Sequence, residues 1–153
     1  MVWGVKGVIL VAKFRFAFLL QLSVDQREDA SRLMQAAQAA WLLARSKLEQ
    51  VDGFRNEYRA RLANSAQTGM SIGQWRDFQL FLAKLDGAAN QQNFEVERLA
   101  QEYERRKNEW QECEKKVKAF EALRDRHNQA ELRKEGQLEQ KLSDEFNSRL
   151  GRH

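Results

Sequence analysis

The residues of this chain that could do acid–base, nucleophilic or metal chemistry are few and poorly placed for it. Histidine occurs twice, at His127 and His153, and cysteine once, at Cys113. A zinc site needs three or four His, Cys or carboxylate ligands converging on one point, and a nucleophilic site needs a base and an orienting group within hydrogen-bond reach. Two histidines cannot supply either set. No glycine-rich loop stands ahead of a helix to cradle a phosphate. Carboxylates are plentiful but alternate with cations, as in "ERRKNEWQECEKK" (104–116), the pattern of a solvated helix face. Catalytic residues, metal ligands and cofactors are therefore all expected to be none, and the chain reads as a non-enzyme.

Charge and cysteine usage narrow the class further. Residues 1–65 hold ten Lys/Arg against six Asp/Glu, whereas 66–120 and 121–153 are balanced at nine each and seven each, so the net +4 lies wholly in the first segment. A nucleic-acid surface would cluster its cations on one face, and no such cluster stands out here. A lone Cys113 cannot close an internal disulfide, which fits a reducing compartment.

The elements that position these residues are long. Proline is absent, where average usage predicts about seven in a chain of this length. Stepping by three and four from Trp75 picks out Phe78, Leu82, Leu85, Ala89, Gln92, Val96, Leu99, Tyr103, Arg106, Trp110, Cys113, Val117 and Phe120, a seam that only Gln92 and Arg106 interrupt. Cys113 falls on it, as a packed thiol and not a nucleophile. A second row, Met34, Ala37, Trp41, Ala44, Leu48, Val51, Arg55, Tyr58 and Leu62, precedes the first. Between the rows stands "TGMSIGQW" (68–75). Gly69 suits a left-handed residue just past a helix, and Ser71 with Gln74 suits a capping box that opens the next one.

The expected fold is all-α: helix one over about 14–66, a turn over about 67–71 and helix two over about 72–149, folded into an antiparallel coiled-coil hairpin that forms a single domain. With Ser65 facing Ser71, Tyr58 falls beside Phe78, Phe54 beside Leu82 and Val51 beside Leu85. Phe54 and Phe81 then flank the seam as an apolar patch. Helix two outlasts helix one, so its last turns overhang without a partner from the chain. That end carries Lys13, Arg15, Arg27, Arg124, Arg126, Arg133 and Lys134 among Leu138, Leu142 and Phe146.

The apolar start, "GVILVAKFRFAFLLQL" (7–22), contains Lys13 and Arg15, which cut it into runs far shorter than the ~20 residues that span a bilayer. Neither a secretory signal nor membrane insertion is expected.

"FRNEYRARL" (54–62), the Ser/Gly break and "QWRDFQLFLAKLDGA" (74–88) resemble the FliJ family of flagellar export proteins, as do "KFRFAFLLQLSVDQREDA" (13–30) and "LEQKLSDEF" (138–146). The resemblance implies a cytoplasmic stalk, associated peripherally with the inner-membrane export apparatus. Such a stalk inserts into the hexameric flagellar export ATPase, promotes its assembly and activity, touches the export gate membrane protein and escorts substrate chaperones. It implies gate binding through Val51, Phe54, Tyr58, Phe81, Leu85 and Ala88, and ATPase binding at the basic and apolar end from Lys13 to Phe146 named above. Family members start near "KFRF", so residues 1–10 read as an extension ahead of a start at Val11. The alternative is a general coiled-coil adaptor or chaperone, including an injectisome-type secretion stalk.

Overall fold

The computed structural model describes residues 2–151. It contains two helices, α1 (Val2–Thr68) and α2 (Ile72–Leu150), and no strand among the described residues. The fold is the expected all-α hairpin.

The break works through the chemistry that its residues carry. Gly69 stands at φ 99°, where a side chain would clash with the following carbonyl. The Gln74 N–H donates to the Ser71 hydroxyl at 3.1 Å, and the Ser71 N–H donates back to Gln74 Oε1 at 3.3 Å. This reciprocal pair satisfies two amides that the first turn of α2 would otherwise leave orphaned. The Thr68 hydroxyl meanwhile donates to the Asn64 and Ser65 carbonyls at 3.2 and 3.3 Å, closing the last turn of α1.

Contacts divide the chain into two compact units, one spanning 28–111 and the other made of the residues up to 27 together with those from 112 onward. In the 28–111 unit, Ala44, Leu82 and Ala89 are buried, and Met34, Ala37, Trp41, Leu48, Val51 and Tyr58 are half-buried beside them. Alanines at the centre let the helices approach closely enough for Gln92 Nε2 to donate to the Ala44 carbonyl at 2.9 Å. Trp41 stacks on Tyr103, with centroids 5.6 Å apart and planes 11° apart. In the other unit Val117 is fully buried, Phe16 meets Phe120 edge-on at 5.9 Å, and buried Ser23 satisfies its hydroxyl on the Leu20 carbonyl at 2.7 Å.

The structure departs from the sequence reading in three places. First, α1 is helical from Val2, well ahead of residue 14, because Gly4 and Gly7 each cost a helix only about 1 kcal/mol and the Val, Ile, Leu and Ala around them supply no break. Second, the Tyr58 ring packs on Phe81, centroids 4.6 Å apart, three residues beyond the Phe78 expected beside it. The register drawn from Ser65 and Ser71, which sets 44 beside 92 and 16 beside 120, is otherwise kept by the Gln92–Ala44 hydrogen bond and the Phe16–Phe120 ring contact. Third, Lys13 and Arg15 do not make the start of α1 polar. An 18-residue window near its N-terminus keeps a mean hydropathy of 1.7 with 6% of it buried, so by length and composition α1 could cross a membrane.

Candidate functional site

Two surfaces gather the residues that the sequence singles out, one in each unit. In the 28–111 unit, Val51, Phe54 and Tyr58 share one side of α1, and Phe81, Leu85 and Ala88 share one side of α2. The Tyr58–Phe81 ring contact joins the two sides into a single face. Phe54 is 54% exposed and Phe81 40%, while Val51, Tyr58 and Leu85 are half-buried. The face is therefore an apolar patch with two aromatic rings at its surface, one of them braced by a tyrosine.

The other side of the same seam is polar. Arg55 Nε donates to Asp86 Oδ1 at 2.8 Å and its Nη1 to Asp52 at 3.0 Å, and Arg59 Nη2 reaches Asp86 at 3.2 Å. Hydrogen bonds to Asp52 and Asp86 raise the Arg55 pKa above its ordinary value and hold the guanidinium in place. Arg55 is the one charged residue of the α1 row. Its pairing with Asp86, 31 residues away on α2, leaves no signal in the spacing along α1. The clasp leaves one side of the seam apolar and the other ionic, so a partner can distinguish the two sides.

In the second unit, α1 and α2 enclose a groove of about 660 Å³ lined by Ile9, Ala12, Phe16, Leu20, Leu123 and His127 among others. Lys13 and Arg124 stand on its walls. Lys13 Nζ lies 2.8 Å from Glu131, and Arg27 lies 3.5 Å from Glu114. Arg15, Arg126, Arg133 and Lys134 are exposed. At 100° per residue, Arg126 and Arg133 project from the side of α2 opposite Leu142, so the cations surround the apolar row and do not form a single patch. Leu138, Leu142 and Phe146 recur every four residues and continue the groove-facing side of α2. All three are exposed, and from 132 to 150 no described side chain is even half-buried.

Lys13, by its hydrogen bond first and His127 after it, lowers the Glu131 pKa below its ordinary 4.5. A depressed carboxylate contributes stability that is present above its unfolded pKa and lost as pH falls through the folded one. Thermal melts followed from neutral pH into the range below about 4 should therefore show a smaller drop for Glu131→Gln than for the parent chain. An equal drop would mean that the pair does not couple the two helices.

The geometry describes surfaces for binding, and comparison with known proteins says in what company. The sequence model of the family described as the flagellar FliJ protein matches residues 12–153. The chain belongs to the FliJ family. It is 29% identical over 133 residues to the flagellar FliJ protein of Escherichia coli strain K12, covering 87% of this chain and 90% of that one. It is 28% identical over 131 residues to the flagellar FliJ protein of Salmonella typhi, covering 86% and 89%. The resemblance drawn from Phe54–Leu62 and Gln74–Ala88 thus extends over both surfaces. As a FliJ-family member the chain is a flagellar protein, and the matched region contains every residue of the apolar face, the ionic clasp and the α2 end.

Proposed function

We propose that this chain is a non-enzymatic component of the flagellar type III export apparatus, acting in the cytoplasm and peripherally at the inner membrane. In this reading the end of α2 enters the hexameric export ATPase and promotes its assembly and turnover. The face around Phe54 and Phe81 binds the cytoplasmic side of the export gate, and substrate chaperones are escorted by the same molecule. The observation that carries the reading is the solvated apolar row Leu138, Leu142 and Phe146 at the end of a helix whose upstream part is packed. Apolar surface with no partner in its own chain gains by burial elsewhere, and the surrounding cations set encounter and orientation.

The test is to mix the purified chain with the flagellar export ATPase and measure its oligomeric state and ATP turnover. Hexamer formation and faster turnover support the stalk reading. An ATPase indifferent to the chain overturns it in favour of an adaptor or chaperone.

The gate face makes a separate prediction. Phe54 is the more exposed ring and makes no ring contact among the described residues, so Phe54→Ala should weaken binding to the gate's cytoplasmic domain by tenfold or more, about 1.4 kcal/mol, as truncation of a central aromatic does. Its effect on stability should stay within about 0.5 kcal/mol. Phe81→Ala removes the Tyr58 ring contact as well, and should cost about 1 kcal/mol of stability besides. Calorimetric binding and denaturant melts of both variants check the pair of expectations. Unchanged gate affinity in Phe54→Ala would remove this face from the gate.

A further inference from the structure

The N-terminal part of α1 is apolar on two opposite sides, and only one of them is covered. Ile9, Ala12, Phe16 and Leu20 face the groove shared with α2. On the far side, Val11, Phe14, Phe18 and Leu22 recur at spacings of three and four. All four are exposed, Phe14 at 75% and Phe18 at 60%. A helix apolar all round is normally buried all round, in a protein core or in lipid. Arg15 stands one turn from both Val11 and Phe18 and flanks this outer row.

The charge of the segment says what covers it. From the start of the chain to Val24 there are three cations, Lys6, Lys13 and Arg15, and no carboxylate before Asp25, whereas the charges after it are nearly balanced. Protein interfaces are on the whole no more apolar than ordinary surface and carry a polar rim. A window of mean hydropathy 1.7 with 6% of it buried, basic and free of acid, matches a surface that is apolar beneath and anionic above. We propose that the outer row of α1 docks on an anionic lipid surface, with Phe14 and Phe18 in the boundary between headgroups and acyl chains and Arg15 among the phosphates.

The helix lies along the membrane and does not cross it. Its inner side is committed to α2 through the Phe16–Phe120 ring contact and the Lys13–Glu131 pair. Crossing would break both and strand Lys13 and Arg15 in hydrocarbon. The outer row points away from α2, so docking leaves Leu138, Leu142 and Phe146 available, and the inference stands whether or not an ATPase binds there.

The full-length chain is mixed with vesicles of phosphatidylcholine alone or of phosphatidylcholine with phosphatidylglycerol, and the fraction that sediments is measured. Binding should be at least tenfold stronger to the anionic vesicles and should weaken with added salt. Arg15→Gln should weaken it about fivefold. The double variant Phe14→Ser and Phe18→Ser should weaken it by more than about tenfold. Leu22→Ser alone should weaken it in the same direction. Far-UV circular dichroism should be unchanged throughout, since none of these side chains lies on the α2 side. No sedimentation of the parent chain, or equal sedimentation of the double variant, overturns the inference. So does a double variant that keeps its vesicle binding but loses self-association or ATPase stimulation measured without lipid, because the row then belongs to a protein partner.

Discussion

Truncation after Leu123 is expected to abolish stimulation of the export ATPase while leaving gate binding intact. The deletion removes the row Leu138, Leu142 and Phe146, the cations Arg124, Arg126, Arg133 and Lys134, and Glu131, the partner of Lys13. It leaves the unit spanning 28–111 whole, with its Trp41–Tyr103 stack, the Gln92 hydrogen bond and the face around Phe54. The expected results are turnover at the level of the ATPase alone, loss of the ATPase hexamer in sedimentation, and gate affinity within about threefold of the parent chain. Because the shortened chain also uncovers Phe16 and Leu20, a second variant keeps the test clean. Leu138→Ser with Leu142→Ser and Phe146→Ser changes only exposed side chains and should give the same loss. Undiminished turnover with both variants would place the ATPase contact elsewhere and leave the end of α2 without a role.

The second large effect is expected at Val117, the one large hydrophobic side chain that is fully buried among the described residues. Val117→Asp removes branched apolar volume and sets an unpartnered carboxylate in the seam, a combination that should cost about 3–5 kcal/mol or more. Burial favours the neutral acid, so the introduced group has a folded pKa above its unfolded value of about 3.9. Such a group destabilises least below about 3.9, and its penalty grows as pH rises toward the folded pKa. The variant should thus lose most at neutral pH and recover part of the loss in acid, the reverse of the acid response expected at Glu131. A neutral-pH melt within about 1 kcal/mol of the parent would mean that Val117 is not a core residue of its unit.

Much of the fold was legible because a hairpin of two helices writes its contacts into local spacing. Of the seam positions counted from Trp75 to Phe120, only Trp75 proves exposed, and every α1 position counted from Met34 to Leu62 is at least half-buried. The break was legible for the same reason, since Gly69, Ser71 and Gln74 act within a single turn. Register was less so. Sliding one helix past the other by a turn keeps apolar residues on the seam, so spacing alone does not separate Tyr58 on Phe78 from Tyr58 on Phe81. What fixes it is polar and pairwise, as with Gln92 on the Ala44 carbonyl and Arg55 on Asp86, and a count of apolar positions treats both residues as lapses. The outer row of α1 escaped for a related reason. Lys13 and Arg15 interrupt the run as a string of letters, whereas Val11, Phe14, Phe18 and Leu22 form a row only on the side of the helix that packing on α2 leaves exposed.

The Gln92 hydrogen bond also bears on how the two helices can move. The Ala44 carbonyl lies inside α1, where its first lone pair serves the helix ladder, and the Gln92 amide uses the second. A shear of α2 along α1 by one turn would draw the amide away from that oxygen and into an apolar stretch, at a cost of about 1–3 kcal/mol for the unsatisfied group. Apolar seams slide almost without preference, but this amide, with the Arg55–Asp86 clasp of the same unit, gives the 28–111 seam one preferred setting. Shear within that unit must therefore break discrete polar pairs before its apolar side chains can slide.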